Sequence, residues 1–119
     1  MRVFVRDDMT TILSKTMDGL SLRYQVIADN IANVDTPGFK AKDVRFEDEL
    51  SSAIVRGKSG SAKPAIYECQ GKTRFDGNSV DIHMETAKMA ETTVLYAAMS
   101  RLISERFSLL RSVITEGRR

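Results

Sequence analysis

Few side chains in this chain could do covalent or metal chemistry. His83 is the only histidine and Cys69 the only cysteine. A zinc site built on that pair would need carboxylates to fill its remaining positions, and a histidine near the start of a helix reads as a surface residue. Cys69 has no internal disulfide partner, and it reads as a small, semi-buried side chain rather than a nucleophile. The chain offers no nucleophile, base and orienter set of the kind covalent catalysis uses. Glu47, Asp48 and Glu49 are adjacent in sequence rather than placed across a cleft, which argues against paired acid and base work. Gly57-Lys58-Ser59 invites a phosphate-loop reading, but Ser52 stands where that motif needs its first glycine. Gly60, Ser61 and Pro64 follow where it needs a helix. These residues supply no catalytic group, no cofactor site and no metal site. They point to a helical interaction or assembly protein.

The elements that carry the side chains are clearer than the chemistry. Apolar residues at Met9, Leu13, Met17, Leu20, Tyr24, Ile27, Ile31 and Val34 are spaced 4, 4, 3, 4, 3, 4 and 3 apart. That is helix period, and from Leu13 onward it is a strict heptad seam. A helix over 7–34 is expected, capped at Asp7 or Asp8, with residues 1–6 as a short flexible lead. It should end near Asn33, because Thr36 precedes Pro37 and is restricted to extended backbone. Pro37-Gly38 suits the central positions of a type II turn, and Phe39 is presented just beyond it.

A second helix is expected over 81–116, with Asp81 as its N-cap. Met84, Ala87, Glu91, Leu95, Ala98, Leu102 and Leu109 lie near one side. Tyr96, Met99, Ile103, Phe107, Leu110 and Ile114 recur at 3, 4, 4, 3 and 4. The apolar arc is broader than one seam, especially after Val94, so this helix should touch more than one partner. Between the helices, 35–80 reads as turns and irregular structure. A helical turn packed by Phe46 and Leu50 is expected around the acidic cluster, although Val44–Leu50 could also be extended. Residues 57–64 read as a loop. A small hairpin between Ala65–Cys69 and Thr73–Phe75 is possible across Gly71, and Asp76-Gly77-Asn78 reads as another turn.

Composition sets the remaining bounds. The chain has 119 residues, enough for one domain. With 18 basic and 16 acidic residues, its net charge of +2 does not suggest nucleic acid. The balance is also regional: residues 1–34 carry four of each sign and 35–83 carry eight of each. The small excess lies in the last third, at Arg101, Arg106, Arg111, Arg118 and Arg119. These could meet acidic patches of neighbours such as Glu47–Glu49, or simply form a solvated face. The charge-free run Thr92–Ser100 is far short of the roughly 20 residues that span a bilayer. A cleavable secretory signal is not expected, because Arg2 and Arg6 are followed by Asp7 and Asp8 rather than an apolar stretch.

The segment Asn30-Ile31-Ala32-Asn33-Val34-Asp35-Thr36-Pro37-Gly38-Phe39-Lys40 resembles the N-terminal signature of the bacterial flagellar axial proteins, the rod, hook and hook-associated subunits. The stretch Ala41–Leu50, the segment Asp76-Gly77-Asn78-Ser79-Val80-Asp81 leading into Glu85–Glu91, and the ending Phe107-Ser108-Leu109-Leu110-Arg111 agree with it in order. Together they resemble a proximal rod subunit in particular. Distal rod and hook proteins carry large outer β domains between the terminal helices, and this chain has only about forty residues there.

The resemblance implies a mainly α fold, with long N- and C-terminal helices packed as an antiparallel coiled-coil-like pair and a short irregular or partly β middle. It implies a single rod-subunit domain over 1–119, exported without cleavage by the flagellar type III apparatus into the rod of the basal body, in the periplasmic space. Assembly would be helical, through the terminal helices. The expected partners are other copies of the chain, other proximal rod proteins, the rod–ring adaptor FliE and the flagellar export gate, with no nucleic acid, small-molecule substrate or cofactor. The residues expected to serve assembly and the turn are Asn30, Asn33, Asp35, Thr36, Pro37, Gly38, Phe39, Phe46 and Leu50. Those expected to pack the helices are Leu13, Leu20, Ile27, Ile31, Leu95, Met99, Leu102 and Leu110. A small cytoplasmic binding or chaperone-like helical module is the competing reading. It accounts for the two stripes but not for the turn segment and the later matches.

Overall fold

Apolar period and turn chemistry produce two long helices joined by a short folded middle. The structure, a computed structural model, describes residues 2–117, with side chains described from Met9 onward. Helix α1 spans Arg2–Ala32 and helix α3 spans Ile82–Gly117. Between them lie strand β1 (Lys42–Arg45), helix α2 (Glu47–Val55), a 3-10 turn at Ser59–Ser61 and strand β2 (Ala65–Glu68). The molecule is a rod of 69 × 27 × 14 Å.

The terminal helices run antiparallel along one another. Asn30, near the end of α1, meets Glu85 at the start of α3, and Leu13 shares a cleft with Ile103 and Phe107. The fold is therefore mainly α, with a paired helical body and a partly β middle. Helix α1 begins earlier than expected. No glycine or proline interrupts residues 2–8, so the backbone has no reason to stop at Asp7 or Asp8, and a separate lead over residues 1–6 is not formed from Arg2 onward.

The middle departs from expectation in one pairing. Ala65–Glu68 is a strand, but its antiparallel partner is Lys42–Arg45, with Lys42 opposite Glu68 and Val44 opposite Ile66. Thr73–Phe75 forms no hairpin with it. That segment is instead a tight turn, with the Gly77 amide bonded to the Arg74 carbonyl at 2.9 Å and the Arg74 amide bonded to the Asn78 carbonyl at 2.8 Å. The turn is bonded to the chain just after α1, through Arg74 to the Val34 carbonyl and through the Asp76 carbonyl to the Gly38 amide. Val44–Leu50 divides between both expected forms: Val44 lies in β1, and Glu47 opens α2 with Asp48 and Glu49 in its first turn. Carboxylates there are favourable to the helix dipole. Helix α2 stops at Gly57 in a Schellman arrangement, with Gly57 bonded to Ile54 and Lys58 to Ala53. The glycine that opens the apparent phosphate loop is a helix stop.

Two small clusters make the core. Leu20, Val26, Val44 and Phe46 are buried together, with Leu22 and Met99 against them. Leu50, Ala53 and Ala62 form a second cluster under α2. Among the described residues no helix is long and apolar enough to cross a membrane.

Candidate assembly interface

The junction where α1 ends and α3 begins is built from polar side chains that terminate backbone. Asn33 follows the last residue of α1, and its side-chain amide donates to the Asp29 carbonyl at 2.8 Å. Its own carbonyl accepts the Thr36 amide at 3.0 Å, and the Thr36 carbonyl accepts the Phe39 amide at 3.2 Å across Pro37-Gly38. Gly38 has φ +77°, the conformation that the third position of a type II turn requires and that side chains with a Cβ resist. Asp35, Thr36 and Pro37 are exposed, and Phe39 is half-buried.

Asn78 locks this turn from the other side of the chain. It is 0% exposed. Its amide donates to the Asn33 carbonyl and to the Thr36 carbonyl, both at 2.8 Å, and its oxygen accepts the Val80 amide at 2.8 Å. The Gly38 amide bonds to the Asp76 carbonyl at 2.8 Å, and Gly77 passes so close that a Cβ there would stand 3.3 Å from the Gly38 Cα. Arg74 donates to the Val34 carbonyl and, at 3.1 Å, to the Val80 carbonyl. Asn30, also 0% exposed, donates to the Lys42 carbonyl at 2.7 Å and to Glu85 Oε2 at 3.0 Å, and accepts the Lys42 amide at 3.1 Å. Asp81 caps α3, accepting the amides of His83 at 3.0 Å and Met84 at 3.2 Å. Buried groups that would each cost free energy unpaired are thereby satisfied.

A second face of α1 holds the middle segment. Gly19, Arg23, Val26 and Asn30 recur at 4, 3 and 4, and all four meet β1 or the start of α2. A Cβ at Gly19 would lie 2.4 Å from Phe46 Cγ, so only glycine admits that ring. Arg23 reaches Glu47 with two bonds of 2.7 and 2.8 Å, the Val44 carbonyl at 2.7 Å, and the Phe46 face at 4.8 Å from the ring centroid. The hydrogen bond from Arg23 holds the Glu47 carboxyl below its ordinary range, against the opposing effect of partial burial.

Beside it Lys88 stands 3.3 Å from Asp43 and 3.7 Å from Glu85. Burial pulls the Lys88 ammonium down, but those two carboxylates more than offset it and raise it above its usual value. Burial pushes the Cys69 thiol up, which disfavours the thiolate. Among the described residues no group of three or more His, Cys, Asp and Glu could hold a metal ion.

The expected packing residues divide. Leu20 and Ile27 are buried, while Leu13, Ile31, Met99 and Leu110 are half-buried. Leu95 and Leu102 remain exposed, as do Tyr24 and Met9 on the α1 seam. The inward face of α3 runs instead through Glu85, Lys88, Thr92, Met99, Ile103, Arg106 and Leu110. It is polar at its start because it faces Asn30 and Asp43, whose groups need partners rather than apolar cover. Met84, Ala87, Glu91, Ala98 and Leu109 point away. The result is exposed apolar side chains on both flanks of that face of α3, Val94, Leu102, Leu109 and Val113 on one and Phe107 and Ile114 on the other.

Sequence reasoning missed Gly19, Arg23, Asn78 and Glu85 as site residues. The first two sit at helical spacing from Asn30, a signal hidden because none of the three is apolar.

A family model for flagella basal body rod protein matches residues 13–40, the segment that contains this turn. The chain is 32% identical to flagellar basal body rod protein FlgB of Proteus mirabilis, over 84% of this chain and 90% of that protein. The chain belongs to the FlgB family of flagellar basal body rod proteins. FlgB of Borrelia hermsii is likewise 32% identical, over 82% of this chain and 89% of its own length. FlgB of Salmonella typhimurium is 27% identical, over 93% of this chain and 98% of its own. As a member of that family the chain is a structural rod subunit.

Proposed function

We propose that this chain acts as a single rod-subunit domain over 1–119, at the proximal rod of the flagellar basal body, in the periplasmic space. It passes through the flagellar type III apparatus and assembles helically through α1 and α3, which line the inner tube. The turn and middle residues Thr36–Leu50 contact neighbouring subunits. Asn30, Asn33, Pro37, Gly38, Phe46 and Leu50 set the shape of that contact. The partners are other copies, other proximal rod proteins, the adaptor FliE and the export gate.

One observation carries this reading beyond family membership: the number of large apolar side chains that α3 leaves exposed. Exposed apolar surface of this kind marks an interaction face, and α1 covers only the inward face between them. The middle segment, held on the second face of α1, leaves them free. Ordering costs fall on the free subunit's ends until neighbours complete their packing.

The test is a map of purified basal bodies that resolves this chain. Density for α1 and α3 in the tube wall next to the base supports the reading. A stable one-to-one cytoplasmic complex, with no copies in basal bodies, overturns it in favour of a binding module.

A further inference from the structure

Phe75 is fully exposed at the tip of the Arg74–Asn78 turn. A phenylalanine in that position contributes nothing to its own chain's core. The turn that presents it is held in place, because its neighbour Arg74 is bonded through its amide to Asn78 and through its guanidinium to Val34 and Val80. An exposed aromatic on a well-bonded turn is the kind of side chain that anchors interfaces.

The molecule also carries a cavity of about 290 Å³, which the chain itself leaves unfilled. It is open to solvent on one side and lined by Leu20, Phe46, Leu50, Ile54, Leu95 and Met99. An aromatic ring finds there both a ring neighbour in Phe46 and a thioether in Met99, each favourable to it. Glu47 lines the same cavity with its carboxylate already paired to Arg23, and Asp48 follows on that turn of α2. Lys72 lies three residues before Phe75. Neither Asp48 nor Lys72 makes an ion pair among the described residues. The second cleft between α1 and α3, lined by Ser21, Tyr24, Gln25, Thr93 and Tyr96, is more polar and has no acid on its rim.

We infer that Phe75 of one subunit inserts into the Leu20–Met99 cavity of a second copy of this chain, with Lys72 drawn to the acidic start of α2. This inference rests on the assembly reading above and names one contact within it. The insertion is intermolecular. The Phe75 turn is bonded to Val34, fourteen residues beyond Leu20, which is roughly 21 Å along α1 at 1.5 Å per residue. Knob and hole lie on different surfaces, so the contact is head-to-tail and repeats along an axis instead of closing into a pair. A single ring is too small to be a whole interface, which takes on the order of 1,000 Å². It is an anchor inside a larger contact.

Disulfide trapping in assembled rods tests this. With Cys69→Ser as background and Phe75 kept, Thr73→Cys beside it combined with Ser51→Cys on the cleft lining should give a ladder of linked copies. Thr73→Cys combined with Thr93→Cys, in the other cleft, should not. In parallel, Phe75→Ala should lower incorporation into rods by about tenfold or more while leaving the thermal unfolding of the free subunit unchanged, and Phe75→Leu should restore part of it. A ladder only with Thr93→Cys, a link to a different rod protein, or normal incorporation of Phe75→Ala overturns the anchor and leaves the rod-subunit reading standing. Absence of the unaltered chain from rods overturns both.

Discussion

At the scale of residues, the molecule depends on polar groups as much as on apolar ones. Asn78 satisfies two carbonyls and one amide at a site water does not reach. Asn78→Ala should therefore lower the unfolding free energy by about 2–4 kcal/mol, read as a lower denaturant midpoint at unchanged slope. Gly19 is a steric requirement. Gly19→Ala places a methyl 2.4 Å from Phe46 Cγ and should cost about 1–3 kcal/mol through displacement of that ring; the combined Gly19→Ala, Phe46→Leu variant should recover part of the loss. Glu47 gives the fold an acid dependence of known sign. Its carboxyl is lowered in the folded chain, first by the Arg23 hydrogen bond, so the unfolded chain binds more protons between the two values. The contribution is present above the ordinary carboxylate range and is lost as pH falls through the lowered native value. More than half of the side chain is exposed, which holds the effect to about 1 kcal/mol or less. A comparison of Glu47→Gln with the unaltered chain in denaturant titrations at pH 7 and in mild acid should show the difference shrinking on acidification.

At the scale of elements, the turn after α1 sets where the middle segment leaves the helix. Nothing lies within 4 Å of a Cβ built on Gly38, so a side chain there meets no clash, only the strain of φ +77°. Gly38→Val should cost about 1–2 kcal/mol and should impair rod assembly more than export. Counting the exported and rod-incorporated fractions of the variant separates the two effects, and rods that form at the normal rate would show that the exit angle is not needed. Much of this level was legible beforehand. The period of α1, the Pro37-Gly38 turn and the Asp81 cap all rest on local backbone rules. The partner of Ala65–Glu68 was not legible, because pairing with Lys42–Arg45 spans a long loop and carries no local mark.

At the scale of the whole molecule, stability should be unequal along the rod. The Asn30–Glu85 end is tied by the middle segment, whereas the last third of α3 is mostly exposed. Hydrogen exchange on the free subunit should show protection concentrated in Leu20–Asn30 and Glu85–Thr92, with weak protection beyond Arg106. Strong protection along the full length of both helices would contradict completion of packing on assembly. By itself the sequence determined the two long helices, their turn and their caps, because helix period, proline, glycine and N-cap chemistry act over a few residues. It also carried, in separated segments, the likeness to flagellar axial proteins. Only the tertiary structure decided which faces turn inward. The inner face of α3 begins with Glu85, Lys88 and Thr92, and the second face of α1 passes through Gly19, Arg23 and Asn30. Hydropathy cannot mark such faces, since these side chains are buried by their hydrogen bonds, ion pairs and small size rather than by being apolar.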